Sequence, residues 1–209
     1  MLVTIKKPRK RLTREESRAQ TRAKLIAEGH AHFLRYGIGG AVAEKIAEDA
    51  GYSRGAFYSN FASKEELFIA VIHELEARHF EVFRSILNEE SSSKERLRKL
   101  RDTFADLVTD RDWIVLHAEL EAEALRSERI RESFVKLHRQ TIRDGEKLVR
   151  QLLKSCEVTL SLKPNEFITA MLSLSHGLAV NQKILGPELS QKSTRTLIQS
   201  LFDHLISAA

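Results

Sequence analysis

The chain has 209 residues, of which 42% are hydrophobic and 30% are charged. These proportions exclude an intrinsically disordered protein, and the length allows one large domain or two small ones. No apolar run approaches the roughly 20 residues that a membrane-spanning helix needs, and the basic N-terminus lacks the apolar core of a signal peptide. A single cysteine excludes an internal disulfide framework. We therefore expect a cytoplasmic protein that does not associate with membranes.

The formal net charge of +5 is unevenly distributed along the chain. Residues 1–62 contain 12 Lys and Arg against 6 Asp and Glu, whereas the remainder contains 22 against 23. The whole basic excess therefore belongs to the first third of the chain. A basic module followed by a nearly neutral body is typical of proteins that bind phosphates. The alternative is a solubilising basic tail.

Long segments with a hydrophobic period of 3.6 residues, and few prolines, predict an all-α fold of about nine helices. Residues 1–12 are predicted to be a disordered basic arm that can order on DNA, in a minor groove or along phosphates. Thr13 is a plausible N-cap, with acidic residues in the first turn behind it. The first helix is predicted to run to about Tyr36, with Gly37 as its end.

Two short helices follow, joined by a glycine turn. The first is predicted at about 42–50, Gly51 provides the turn, and Ser53 caps a helix that ends near Asn60. This arrangement is a helix-turn-helix, in which the second helix lies in the DNA major groove. Phe57 and Phe61 are four residues apart and are predicted to face inward. Small and polar residues remain on the outward side, where they suit phosphates and base edges: Arg54, Gly55, Tyr58 and Ser59.

The run Gly51–Tyr58 (GYSRGAFY), followed by Phe61 and by SKEEL at 63–67, resembles the DNA-binding signature of the TetR family of bacterial transcriptional regulators. The resemblance extends over about residues 25–67. It implies that the hydroxyls of Ser53 and Tyr58 and the ammonium of Lys64 contact phosphates, while outward residues of the third helix read bases. The complete set of expected DNA-binding residues is Tyr52, Ser53, Arg54, Gly55, Ala56, Tyr58, Ser59, Asn60 and Lys64.

Two positions need separate comment. At Ala41 and Val42 the chain departs from the family, which often has Thr or Ser there to cap the second helix and contact a phosphate. Lys64 falls in the first turn of the fourth helix, where a cation opposes the helix dipole unless a phosphate lies nearby. A surface lysine without a specific role is the alternative.

The expected domains are a helix-turn-helix domain at 13–63 and a helical effector-binding and dimerisation domain at 64–209. The fourth helix is predicted at about 64–88, and the serines at 91–93 mark a break. Glu76 and His79 form a Glu-x-x-His pair as in di-iron bundles, but the second copy that such a bundle needs is absent. The remaining helices are predicted at about 94–109, 112–126, 128–154, 164–185 and 191–207.

The TetR resemblance implies two further sites in the second domain. An effector pocket is expected from aromatic residues and histidines, which favour a mostly apolar ligand with a few polar groups, although each can equally be ordinary core: Trp113, His117, Phe134, His138, Met171 and His176. A homodimer interface is expected on the last two helices, whose apolar faces are wide; an intramolecular core is the alternative. The expected interface residues are Phe167, Leu174, Leu178, Leu197, Leu201, Phe202 and Leu205.

These features predict a homodimeric, sequence-specific regulator of transcription, most simply a repressor that a small-molecule effector releases from double-stranded operator DNA. It would lie in the bacterial cytoplasm, at the nucleoid when bound. The alternative is a helical protein-interaction module that has lost DNA binding. A helical enzyme is disfavoured because the sequence has no nucleophile elbow, phosphate-cradling glycine loop or metal-ligand spacing. No cofactor or metal is expected.

Overall fold

A computed structural model of the chain describes residues 13–208, so the basic arm predicted at 1–12 lies outside the described residues. The described part contains nine α-helices and one short two-stranded ribbon, which confirms the all-α class. The helices are α1 (Arg14–Gly40), α2 (Ala43–Asp49), α3 (Arg54–Asn60), α4 (Lys64–Asn88), α5 (Ser93–Val108), α6 (Arg111–Ala124), α7 (Glu128–Cys156), α8 (Pro164–Leu185) and α9 (Gln191–Leu205). A 3₁₀ turn, Gly186–Glu188, follows α8.

Contacts between residues divide the chain into two compact units, which meet between Phe68 and Ile69. The first unit contains α1, α2, α3 and the first turn of α4, and the second contains the rest of α4 together with α5 to α9. One helix, α4, therefore runs through the boundary.

The start of α1 is fixed by reciprocal capping. The amide of Glu16 donates to Thr13 Oγ1 at 3.1 Å, and the amide of Thr13 donates to Glu16 Oε2 at 2.7 Å. Two backbone donors that have no partner inside a helix are satisfied in this way. The predicted end of the helix at Tyr36 is wrong by a few residues, because the chain resumes helical bonding up to Gly40 after a kink at Gly37. Gly37 has a φ of 66°, which only glycine adopts readily.

The turn between α2 and α3 depends on one backbone conformation and one cap. Gly51 has a φ of 79°, and the amide of the next residue, Tyr52, donates to the carbonyl of Ala47 at 2.8 Å. The chain then reverses into α3, whose first turn is capped by Ser53 Oγ accepting from the amide of Ala56 at 3.2 Å. These local bonds set the crossing of the two short helices.

The first unit has a mainly apolar core contributed by all of its helices, with His32 as a buried polar side chain. Phe33 and Phe68 meet edge to face, with 4.9 Å between ring centroids. Gly29 lets α1 approach α4 closely, since a Cβ at this position would lie 2.9 Å from Leu67 Cδ2. The largest side chains with essentially no exposure in this unit are Leu25, Phe33, Ile46, Phe57, Phe61, Leu67 and Phe68.

The second unit is a bundle in which α7 packs on both α6 and α8, and α9 packs on α5 and α8. Gly145 on α7 allows the close approach of α8, because a Cβ there would lie 3.0 Å from Ile168 Cδ1. Apolar residues from five helices form its main core, and a smaller cluster surrounds Trp113 and Ile198.

A short antiparallel ribbon closes the bundle. Strand β1 (Val158–Leu160) pairs with β2 (Ile206–Ala208), with Val158 opposite Ala208 and Leu160 opposite Ile206. The prediction that the last helix continues to residue 207 is therefore wrong, since α9 ends at Leu205. The strand at β1 becomes possible because Glu157 adopts a left-handed conformation, with a φ of 53°, that ends α7. Along residues 13–208, no helix has the length and apolarity needed to cross a membrane.

Candidate nucleic-acid interface and ligand cavity

The outer face of α3 presents the residues that the sequence predicted for DNA. The side chain of Arg54 is 72% exposed, and Tyr58 is 44% exposed as a residue. Ser53, Gly55 and Ser59 are also exposed, whereas Tyr52, Ala56, Asn60 and Lys64 are half-buried. The nine predicted residues therefore lie on or beside one short helix, with none fully buried.

The opposite face of α3 anchors it to the unit. Phe57 is fully buried and Phe61 is 1% exposed. The guanidinium of Arg22 lies 4.1 Å from the centroid of the Phe61 ring, and its Nη1 donates to the carbonyl of Asn60 at 3.0 Å. Arg22, on α1, thus satisfies a carbonyl at the end of α3 that has no partner inside the helix. Sequence reasoning did not identify this anchor.

An acidic side chain of α2 lies against the outward face of α3. Glu44 Oε1 lies 3.1 Å from Arg54 Nε, and it accepts a hydrogen bond from the Tyr58 hydroxyl at 3.4 Å. Both partners are candidate DNA contacts, so the carboxylate competes with phosphates for them. Glu44 is one of six acidic residues among the first 62, and the sequence alone did not single it out.

Lys64 has partners within its own unit. Its Nζ donates to the carbonyls of Gly39 and Ala41, at 3.0 Å each. The argument that a cation in the first turn of α4 needs a phosphate is therefore wrong, because these two carbonyls at the end of α1 compensate it. Glu66, in the first turn of α4, interacts favourably with the helix dipole. Its carboxylate also accepts a hydrogen bond from the amide of Ala62 at 2.8 Å.

The departure from the family pattern at residues 41 and 42 has a structural counterpart. Val42 is the N-cap of α2 and provides no side-chain hydrogen bond to the helix. Its side chain is exposed, whereas Ala41 is buried. In the first turn of α2, backbone amides therefore lack the side-chain hydrogen bond that a Ser or Thr hydroxyl at the N-cap could have accepted.

The second unit encloses a cavity of about 320 Å³ among α4 to α9. All six side chains predicted for an effector pocket line this cavity. They come from α6, α7 and α8, and two of them stack, since the rings of Phe134 and His138 are 6.0 Å apart. Most of the remaining wall is apolar, with Phe80, Phe83 and Phe104 among its side chains.

One part of the cavity wall is polar. Glu76, on α4, is nearly buried, and its Oε2 accepts a hydrogen bond from Thr141 Oγ1 at 2.7 Å. Its Oε1 lies 3.3 Å from His117 Nε2. A second pair joins α6 and α8, where Glu121 Oε2 lies 3.3 Å from His176 Nε2. These residues place two carboxylates and two imidazoles on the same cavity.

The charge of this wall follows from its surroundings. Burial lowers the pKa of His79, which favours its neutral form near pH 7. The hydrogen bond with His176 lowers the pKa of Glu121, so that this carboxyl stays ionised. Among residues 13–208, no group of three or more His, Cys, Asp or Glu side chains has the arrangement of a metal site.

Trp113 forms part of the same wall. Its ring stacks on His117 with 4.3 Å between centroids, and meets His176 edge to face at 5.3 Å. It is the single tryptophan of the chain, so its fluorescence reports on this wall.

Residues 25–71 match the family model described as bacterial regulatory proteins, tetR family. The transcriptional regulator TtgR of Pseudomonas putida is 35% identical over 102 residues, which is 48% of this chain and 48% of that protein. The chain thus aligns with about half the length of this curated relative. Residues 25–71 are thus similar to the TetR family.

Solved TetR-like structures share the fold over nearly the whole chain. A transcriptional regulator from Saccharomonospora viridis, solved in complex with choline, has a TM-score of 0.68 at 16% identity, covering 90% of this chain and 99% of its own. The regulator FadR from Bacillus subtilis, solved in complex with stearoyl-CoA, has a TM-score of 0.64 at 17% identity, covering 86% and 96%. At these identities the likeness establishes the fold alone.

The residues predicted for the dimer interface separate into two groups in the structure. Phe167 and Phe202 are 5% and 6% exposed and line the cavity, so their assignment to an interface is wrong. They pack against each other, with 6.1 Å between ring centroids. The other five lie on α8 and α9 and differ in exposure. Leu174 and Leu197 are 48% and 45% exposed, and the partly buried members are Leu178, Leu201 and Leu205.

The polar wall of the cavity was largely missed from the sequence. The sequence pattern indicates Glu76 and His79 only as a metal-ligand pair, and it does not single out Thr141. A usable signal existed, because Ile72, Glu76, His79 and Phe83 follow the four- and three-residue spacing of one helix face. A carboxylate on a stripe that is otherwise apolar indicates either a buried ion pair or a ligand site.

Proposed function

We propose that the protein is a homodimeric TetR-family repressor that binds double-stranded operator DNA and is released by a small-molecule effector. The observation that carries the DNA-binding part is the division of α3 into a buried aromatic face and an exposed polar face. A helix that presents hydroxyls, a guanidinium and a glycine outward fits the major groove. The basic excess of residues 1–62 adds the attraction for phosphates that such binding needs.

Within this proposal the polar residues of α3 divide into two roles. Ser53 and Tyr58 provide hydroxyls for phosphates, and Lys64 provides a cation at the end of the unit. Arg54, Ser59 and Asn60 are the candidates for base edges, with Gly55 and Ala56 allowing the backbone to approach closely. Arg54 and Tyr58 would exchange Glu44 for DNA, since they cannot serve both partners fully.

The homodimer is supported by the exposed leucine face of α8 and α9. Leucines at 174 and 178, and at 197, 201 and 205, repeat every four residues, so each set lies along one side of its helix. Two large leucines that are nearly half exposed on adjacent helices favour a second copy of the same face, as in a two-fold symmetric pair. A dimer would present two copies of α3 to two half-sites about one DNA turn apart.

Effector release is supported by the cavity and by the course of α4. This helix begins with Lys64 in the first unit and contributes Glu76 to the cavity in the second. A ligand that binds one arrangement of α4 more tightly would shift the protein towards it. A coupling of about 1–3 kcal/mol would weaken DNA binding by 5–150-fold. The ligands of the two solved neighbours, choline and stearoyl-CoA, differ in chemistry, so the fold does not set the effector.

DNA binding can be tested by selecting duplexes from a random pool with the purified protein. Affinity for the selected duplex is then measured by fluorescence anisotropy over a range of salt concentrations. The double variant Tyr58→Phe, Lys64→Ala should bind more weakly, and its salt slope should fall by about one for each lost phosphate contact. Tyr36→Phe, at an exposed tyrosine of α1, is the matched control.

If no sequence is enriched, the protein is better described as the helical interaction module that has lost DNA binding. If a sequence is enriched but the double variant behaves like the wild type, the phosphate roles of Tyr58 and Lys64 are wrong.

The dimer is tested separately by sedimentation or light scattering. Leu174→Glu with Leu197→Glu should give a monomer, because two carboxylates would be buried in the interface. Leu125→Glu is the control, since Leu125 is 90% exposed at the end of α6. A dimer that survives the double substitution would place the interface elsewhere.

A further inference from the structure

We propose that the cavity of the second unit binds a lipophilic amine in its protonated form, with the ammonium group between Glu76 and Glu121. This inference rests on the proposed function in treating the cavity as the effector site, and it adds the chemical class of the ligand. It rests on the charges, the unpartnered atoms and the aromatic surface of this cavity.

The first support is the sign of the charge. Two carboxylates line the cavity. Among residues 13–208, no lysine or arginine lines it. Among the described residues of the wall, the histidines are the only other groups that can carry charge. An anionic head group would therefore approach two carboxylates without a permanent positive charge, whereas an ammonium gains attraction from both.

The second support is that imidazole nitrogens on this wall are left without hydrogen bonds. His117 is 9% exposed, and its Nε2 has no hydrogen-bond partner within residues 13–208, although Glu76 lies 3.3 Å away. His176 has its Nε2 beside Glu121, and its buried Nδ1 has no partner either. When Nε2 carries the proton that faces Glu121, Nδ1 is an acceptor. An ammonium N–H is a donor that suits this acceptor and both carboxylates.

The third support is the surface around the polar wall. Trp113 stacks on His117 and meets His176, and six phenylalanines also line the cavity. Aromatic faces attract cations, and the apolar remainder accepts a hydrocarbon or aromatic body. Glu76 is held by Thr141 in the free protein, so its charge is already partly compensated before the amine arrives.

The test uses three probes that share one chain and differ in the charge of the head group: decylammonium, decanol and decanoate. Each is titrated into the full-length protein at pH 7.5, below its critical micelle concentration, with Trp113 fluorescence as the readout and calorimetry as a check. Decylammonium should bind about 10-fold more tightly than decanol, with decanoate weakest, because only the cation is attracted by both carboxylates. Equal or tighter binding of decanoate would overturn the proposed class.

Two substitutions locate the ammonium. Glu76→Gln and Glu121→Gln should each reduce the preference for decylammonium over decanol by about fivefold, because each removes one charge while keeping the size of the side chain. Glu123→Gln is the matched control on α6, since Glu123 pairs with Arg126 and is not among the lining residues. Glu121 is exposed enough that its substitution should leave the fold intact, and thermal unfolding verifies this. An unchanged preference in both variants would exclude the proposed ammonium position.

A further experiment, with DNA present, tests this inference separately from the proposed function. Decylammonium is added to the complex of the protein with its selected duplex, and dissociation is followed by anisotropy. Release supports both proposals. If the amine binds the cavity and the complex persists, effector release is wrong while the ligand class stands. If none of the three probes binds, the proposed ligand class is wrong, whereas the proposed function stands or falls with the DNA selection.

Discussion

The two units of the molecule differ in where their candidate functional residues lie: outside the core in the first unit and inside it in the second. In the first unit the interior is mainly apolar and includes Phe57 and Phe61, and the polar residues proposed for DNA lie outside, on or beside α3. In the second unit the polar residues lie inside, where Glu76, Thr141 and His117 from three helices meet at a cavity. Stability and function can therefore be changed separately in the first unit, whereas in the second they involve the same side chains.

The largest effect is expected from Phe57→Ala. Removing a fully buried ring should cost about 3–5 kcal/mol, because the helices around it cannot fill the space. Tyr58→Ala, at the neighbouring exposed position, should lower DNA affinity with a stability change within about 0.5 kcal/mol. Urea unfolding and anisotropy measure the two quantities. A comparable loss of stability in both variants would contradict the separation of core and interface in the first unit.

A smaller effect is expected from Thr141→Val in the second unit. Glu76 would lose the hydroxyl that donates to it at 2.7 Å, leaving a buried carboxylate less satisfied, at a cost of about 1–3 kcal/mol. Binding of the decyl probes should change as well, because the same carboxylate faces the cavity. Thr169→Val, at an exposed threonine of α8, is the control. Altered stability with unchanged probe binding would separate the two roles of Glu76.

Val42→Thr tests the missing cap of α2. A hydroxyl at this position could accept from the amides of the first turn and should stabilise the unit by about 1 kcal/mol. It would also add a possible phosphate contact, so DNA affinity should rise. Val42→Ala is the control, since it changes the side chain without adding an oxygen. Thermal unfolding of the three proteins decides the matter, and equal stability of the Thr and Ala variants would exclude a capping gain.

The smallest effect is expected from Glu44→Gln. Removing this charge frees Arg54 and Tyr58 and reduces repulsion of phosphates, so DNA should bind a few-fold more tightly. Stability should hardly change, because the pair is exposed. Glu48→Gln serves as control, since Glu48 pairs with Lys45 on the same helix. If the DNA affinity of both variants rises equally in anisotropy titrations, the increase reflects the change in net charge and not the release of Arg54.

Features that depend on interactions between residues close in sequence could be predicted, whereas those that depend on contacts between distant segments could not. The bounds of α3 and α4 were predicted within a residue because local signals fix them: the caps at Ser53 and Ser63 and the glycine turn at Gly51. The six cavity residues were named from a family resemblance and an aromatic pattern, and the structure brings them together on three helices. Their actual role remains a prediction.

The failures share a different cause. A stripe of apolar residues on α8 and α9 does not show which side faces inward, so Phe167 and Phe202 are predicted for the dimer interface although they are buried. Lys64 was interpreted through the helix that contains it, but its partners belong to the end of α1, some 25 positions earlier. Both errors concern contacts between distant segments, which helical periodicity does not encode.

The ribbon between β1 and β2 has a consequence for the order in which the second unit forms. Val158 and Ala208 are separated by 50 residues, so pairing them early would require closing a long loop for the gain of three short pairs. Once α8 and α9 have packed, the same ends are already near each other and the pairing costs little. We therefore expect the strand pair to form late in folding. Its amide protons should gain protection from exchange only after those of α8, which makes the ribbon a kinetic marker of a completed bundle.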